Sequence, residues 1–255
     1  MVIDHQTGQR IEPLTRSRAA DVTAAELGAF RDLVATLDGA DWTRPTDSAG
    51  WTVRDVVAHV AGQFEELARL GTFLRRLRTA RRRYPDRTVL DAHNQVQLDE
   101  LAGKAPGDLV THLDRFGPAA LRALRRMPGF ARRLPSALFF PEPPLPERSL
   151  AYLFDVLTSR DTWMHRLEVT RATGRPFAHG PHDRDIVAQV VRDLDRAPHT
   201  AAVTLTLTGP AGGTWTLGPG PGVTADAVDM MLHLSGRGGT GVPSGSPLAD
   251  ARVVF

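Results

Sequence analysis

Cysteine is absent from the 255 residues, which excludes disulfides, thiolate metal ligands and a protein-borne sulfur nucleophile together. Any metal must then be held by His, Asp or Glu, and any thiol must arrive as a small molecule. No run of about 18 apolar residues occurs, so no membrane span is expected. The N-terminal stretch MVIDHQTGQRIEPLTR has no apolar h-region, so no secretory signal is expected and the protein reads as cytoplasmic, with no membrane partner. Charge of one sign is also scarce: the formal net charge is +2, and the basic isoelectric point reflects arginine, which stays protonated to high pH. No solenoid repeat is visible. The Gly-rich GRGGTGVPSG lacks the strand–loop–helix context and the Lys-Ser/Thr pair of a phosphate cradle, and reads as a turn-rich loop.

Against these absences, 42% hydrophobic residues are enough for a sizeable core, and the length suits one large or two ordinary domains. The sharpest local charge is RRLRTARRRYPDR, residues 75–87, with seven arginines. Such a run reads as a solvated helix face. One tyrosine gives little aromatic interleaving and no nucleic-acid-binding motif accompanies it, so a nucleic-acid partner is not expected.

Apolar spacing of three and four predicts a helix over 24–37, stopped at Asp38-Gly39. A second, capped by Thr52 or Ser48, starts in GWTVRDVVAHVAG and is expected to continue through LGTFLRRLRTARRR to Pro85. Further helical patterns cover 91–101 and 106–127, the latter with a possible break at Gly117-Pro118. Residues 135–148 contain five prolines and read as a loop. Ser149–Thr173 is the longest uninterrupted helical pattern, ended by Gly174-Arg175-Pro176. The texture then changes. A helix is allowed over 180–197, AAVTLTLT (201–208) alternates with period two as a strand, and GTWTL (213–217) is a second strand. GPGPG makes a break, 225–234 fits a helix, and ARVVF is a candidate terminal strand. The chain therefore divides near residue 178 into an all-helical part, 1–178, and a small α+β part, 179–255.

His59 sits among Trp51, Val53, Val56, Val57, Val60 and Ala61, where a lone ring is most simply a satisfied core histidine. DTWMH in the long helix places Asp161 and His165 at i and i+4, one turn apart on one face, where a carboxylate oxygen and an imidazole nitrogen can meet one cation. With His59 from another helix, the set becomes two histidines and one carboxylate, which suits zinc or another divalent ion and leaves room for water or substrate. An ordinary intrahelical pair remains the other reading of that spacing.

GWTVRDVVAHVAG, preceded by DWTRPT, together with SRDTWMHRLEVTRATGRPF, resembles the mycothiol-dependent maleylpyruvate isomerase family, a branch of the DinB-like metal-binding superfamily. LTLTGPAGGTWTLG with ADAVDMMLHLSGR resembles that family's sterol-carrier-like C-terminal domain. The resemblance implies a four-helix bundle whose metal is held by a histidine on the second helix and an acid-x-x-x-His pair on the fourth, positions matched by His59, Asp161 and His165. Asp161 departs from the glutamate usual in the family and is one methylene shorter. The resemblance also implies a C-terminal arginine that meets substrate carboxylates, and Arg237 in LSGRGG is the nearest match.

What the resemblance implies chemically agrees with the missing cysteines. A divalent metal and an external thiol, mycothiol or similar, would act on a small, anionic electrophile, either by cis–trans isomerisation or by S-transfer. The other class left open is a metal- or small-ligand-binding protein of specialised metabolism without thiol chemistry.

Overall fold

The computed structural model describes residues 11–141, 145–197, 202–239, 241–242 and 245–255. The N-terminal stretch up to residue 10, part of the proline-rich segment (142–144), the start of the AAVTLTLT strand (201) and three positions of the glycine-rich loop (240, 243, 244) lie outside them. The chain forms two compact units: Arg16–Ala178, and His179–Phe255 together with the described N-terminal residues up to Thr15.

The first unit is helical. Four helices close a bundle: α1 (Arg16–Val34), α2 (Val53–Ala68), α5 (Pro106–Arg126) and α8 (Thr158–Thr173), with α2 packed on α5 and α8, and α1 on α5 and α8. Leu27, Phe30, Val56, Val60, Phe64, Leu109, Leu113 and Val169 fill the interior. Between α2 and α5 run α3 (Leu70–Arg83) and α4 (Val89–Leu101), joined through a small apolar cluster of Ala80, Ala92 and Val96. Two short turns, α6 (Gly129–Arg132) and α7 (Leu150–Tyr152), precede a π-helical segment, Leu153–Leu157, that runs into α8.

Local chemistry explains several boundaries. Thr52 caps α2 in a reciprocal box: its hydroxyl accepts from Asp55 N–H, and its own N–H donates to Asp55 Oδ2 at 3.0 Å. Gly174 ends α8 in the left-handed conformation, φ 71°. Pro118 does not break α5, which continues through it. The preceding Gly117 lets α1 come close, since a Cβ there would lie 2.8 Å from Leu27 Cδ2.

Other expectations need correction. The single helix expected from Val53 to Pro85 is two helices, because the backbone leaves helical geometry at Arg69, φ −137° and ψ 89°. In a continuous helix Arg76 would sit roughly 15 Å beyond Glu66 at ~1.5 Å per residue. Instead their side chains pair at 3.0 Å. The arginine run is accordingly not wholly solvated: Arg76 is 1% exposed. The long pattern from Ser149 is interrupted by the π segment, whose wider turn rotates the following residues about the axis.

Among its described residues the second unit holds α9 (Asp183–Arg196), three strands and α10 (Ala227–Leu234). Strands β1 (Thr204–Thr208), β2 (Gly213–Thr216) and β3 (Gly222–Asp226) are ordered β2-β1-β3, with β2 antiparallel and β3 parallel to β1. Leu205, Leu207, Trp215, Val223 and Ala225 are buried, while Thr208, Thr216 and Thr224 are exposed, the period-two pattern of a one-sided sheet. Strand β3 was hidden in sequence behind GPGPG. Pairing with β1 selects it, and Asp226, at its end, caps α10 by accepting from Val228 and Asp229 N–H. ARVVF is not a strand; Val253 N–H donates to Leu234 O.

Candidate metal centre

The centre is built between α2 and α8. His59 points inward from the middle of α2, and Asp161 and His165 occupy one face of α8. The Nε2 atoms of both rings face the carboxylate: His59 Nε2 lies 3.3 Å from Asp161 Oδ2, and His165 Nε2 lies 3.4 Å from Asp161 Oδ1. One donor atom from each of the three residues lies within 4.8 Å of the others. Both histidines are about 95% buried, whereas the Asp161 side chain keeps 22% of its surface exposed, so the site opens on the carboxylate side.

The outer ring nitrogens are also engaged. His59 Nδ1–H donates to Gln97 Oε1 at 2.7 Å, and His165 Nδ1–H donates to Glu168 Oε2 at 2.7 Å. Ser48 donates to the other oxygen of the fully buried Glu168 at 2.9 Å. Gln63, one turn on from His59, donates to Asp161 Oδ2 at 3.0 Å. Trp51 covers the rings, stacked on His165 at 5.9 Å between centroids and tilted against His59 at 5.2 Å. Helix α8 is itself anchored: the buried Arg166 guanidinium forks onto Glu26 of α1, with Nε–Oε1 2.7 Å and Nη2–Oε2 2.9 Å.

Burial is the largest single influence on the Asp161 carboxyl and pushes its pKa up, but the charges and hydrogen bonds of His165 and His59 outweigh it and hold the group well below the usual carboxylate range. Burial likewise pushes the His165 imidazole down; Asp161 and Glu168 outweigh it and raise the pKa to about 10. Without a cation, the centre therefore stores a proton on His165 between two carboxylates.

The donor set fits a divalent ion. At zinc–ligand bonds of ~2.0–2.1 Å, adjacent corners of a tetrahedron lie roughly 3.3–3.4 Å apart. The two nitrogen–oxygen separations have that size, each to a different oxygen of the one carboxylate. Each ring's outer N–H is donated to an oxygen, the arrangement that leaves Nε2 as ligand.

Sequence reasoning brought forward His59, Asp161 and His165, and the structure brings those three together. Arg237 lies in the other unit, half-buried just past α10, where its backbone N–H donates to Leu232 O at 3.0 Å. His233 donates from Nε2 to Leu248 O at 2.9 Å, a packing role within that unit. Sequence reasoning missed Glu168, Gln97, Gln63 and the covering role of Trp51. Glu168 was detectable, since it follows His165 by three residues on the same helix face. Gln97, 38 residues from His59, carried no signal.

Fold and site together define a class: a four-helix bundle with an open two-histidine, one-carboxylate donor set, linked to a small α+β unit. Residues 23–170 match the family described as the mycothiol maleylpyruvate isomerase N-terminal domain, and the chain belongs to that family. Two solved structures, of the mycothiol-dependent maleylpyruvate isomerase and of a histidine-to-alanine mutant of it, are each similar with a TM-score of 0.59 and 16% identity, covering 95% of both chains. At that identity the likeness establishes the fold. No curated protein matches the chain in sequence.

Proposed function

We propose that this protein is a metal-dependent enzyme, with zinc the best-fitting ion, that uses a low-molecular-weight thiol of the mycothiol type on a small anionic electrophile. The observation that carries the reading is the convergence of His59 Nε2, His165 Nε2 and the Asp161 carboxylate within 4.8 Å of one another in a member of this family. His59, Asp161 and His165 would hold the metal. A divalent cation, when bound, supplies Lewis acidity that favours thiolate over thiol at neutral pH. The chain has no sulfur nucleophile of its own, so the thiol is a co-substrate.

The protein's residues prepare the site. Gln97 and Glu168 hold protons on the outer ring nitrogens, Trp51 shields the imidazoles, and Gln63 orients the carboxylate, leaving access past Asp161. The thiolate sulfur then forms a bond to one carbon of a carbonyl-conjugated cis double bond. The former double bond rotates as a single bond, and elimination breaks the carbon–sulfur bond, returning thiolate and trans product. Where the electrophile instead carries a leaving group, that group departs with its electron pair and sulfur stays attached. Arg237 is assigned to a substrate carboxylate, which a guanidinium binds bidentately.

The test incubates zinc-loaded protein with mycothiol and maleylpyruvate, and separately with mycothiol and a haloalkyl electrophile, following both partners by NMR. Isomerase action converts the enoic acid and leaves the thiol concentration unchanged; S-transfer consumes thiol mole for mole. His165→Ala should abolish either. If neither partner is consumed by the wild type, thiol chemistry is wrong and a metal- or ligand-binding role without it stands in its place.

A further inference from the structure

The two imidazoles are held differently. His165 donates to a carboxylate, Glu168, and a carboxylate presents oxygen however it turns. His59 donates to an amide, Gln97, and an amide rotated by half a turn presents N–H instead. Such a rotation would force His59 to carry its proton on Nε2, the nitrogen facing Asp161. Something must therefore set the amide.

The structure contains the device. Gln97 Nε2 donates to Glu66 Oε2 at 2.9 Å, while Glu66 Oε1 accepts from Arg76 Nη1 at 3.0 Å. Arg76 is fixed in turn: Nη1 donates to Gly62 O at 3.1 Å, Nη2 to Glu65 Oε2 at 2.7 Å and Nε to Glu100 Oε2 at 2.8 Å. Glu66, Arg76, Gln97 and His59 are each at least 93% buried, so water cannot substitute for a lost partner. Turning the Gln97 amide would set its oxygen against the Glu66 carboxylate and its NH2 against the His59 N–H, losing two hydrogen bonds and creating two repulsions. Gly62 makes the approach of α4 possible, since a Cβ there would lie 3.2 Å from Gln97 Cβ.

We propose that Glu66, clamped by Arg76, and Gln97 are positioning residues: their one-way chain of hydrogen bonds holds the His59 Nδ1–H on Gln97, so that Nε2 is the nitrogen the ring presents to Asp161. The inference deepens the metal-centre reading and rests on it for its consequence, cation affinity. Its immediate effect, the Nδ1–H held on Gln97, exists without any cation.

The test compares wild type, Glu66→Gln and the exchanged pair Glu66→Gln/Gln97→Glu. In the single variant Arg76 still holds the side-chain oxygen at position 66, so the introduced amide turns its NH2 to Gln97, whose amide must rotate to accept and then presents its own NH2 to His59. In the exchanged pair the carboxylate introduced at position 97 accepts from His59 whichever way it turns, and the amide introduced at position 66 donates to that carboxylate. Zinc affinity is read by chelator competition, folding by circular dichroism, and the His59 Nδ1 proton by imidazole 15N shifts of the zinc-free protein at neutral pH. Wild type should show a protonated Nδ1. Glu66→Gln should move the proton off Nδ1 and weaken zinc binding about 10- to 100-fold, the range of lost outer-shell partners. The exchanged pair should restore both.

An unchanged Nδ1 proton on His59 in folded Glu66→Gln overturns the proposal. So does failure of the exchanged pair to recover it, because the loss would then come from the Arg76 charge cluster. A wild type with the expected Nδ1 proton but no zinc binding would instead defeat the metal reading alone.

Discussion

The proton stored on His165 makes cation binding a proton exchange. Its pKa of about 10 in the folded, cation-free protein lies above the ordinary 6.5, so its contribution to stability is full below pH 6.5 and is lost as pH rises through about 10. Asp161 runs the opposite way: held below 3.8, its contribution is full above that value and is lost as pH falls through its lowered pKa. The pair is thus worth most between these limits. At about 1.4 kcal/mol per pH unit, His165 contributes at most about 5 kcal/mol at neutral pH, shared with Asp161. A cation at Nε2 must displace that proton. Zinc affinity should therefore rise about tenfold per pH unit, or about a hundredfold between pH ~6.5 and ~8.5, with close to one proton released from this group per ion. Competition with a chelator of known protonation gives the slope, and calorimetry in buffers of different ionisation enthalpy counts the protons. Denaturant melts of cation-free protein should lose stability from pH ~7 to ~10, and this loss should shrink in His165→Gln. Affinity flat with pH, and no proton released, would refute the stored proton.

Replacing the carboxylate tests its reach. Asp161→Ala should lose zinc binding, and Asp161→Glu should weaken it about tenfold, because the added methylene moves the oxygens by roughly 1.5 Å between helices whose packing does not yield that far; equal affinity in titrations of all three proteins would remove Asp161 from the donor set. Gly62→Ala gains helix propensity, yet its Cβ presses on Gln97, so zinc affinity should fall several-fold with little change in melting temperature. Thr52→Ala removes the α2 capping box and should cost about 1 kcal/mol in a denaturant melt without altering the His59 Nδ1 proton. Arg237→Ala should raise KM for an anionic substrate while zinc content by metal analysis stays at the wild-type level.

Much of the architecture was legible in the sequence because its causes are local. Apolar spacing marked the bundle helices, Thr52 was one of two caps offered for α2, and alternating Thr and Leu marked β1. The missing cysteines limited metal donors to His, Asp and Glu, and the four-residue step from Asp161 to His165 put two of them on one helix face. Only the tertiary structure decided that the chain reverses at Arg69, since helical periodicity runs through that point unbroken and the reason to turn, Arg76 seeking Glu66, lies in the fold. It likewise chose β3, a short glycine-led segment made a strand by its partner β1. It also decided which polar residues stand behind the histidines. Gln97 and Glu66 look like surface residues in a helical pattern, because a hydrogen bond between side chains on different helices leaves no periodic trace; burial is what gives each of those bonds a direction.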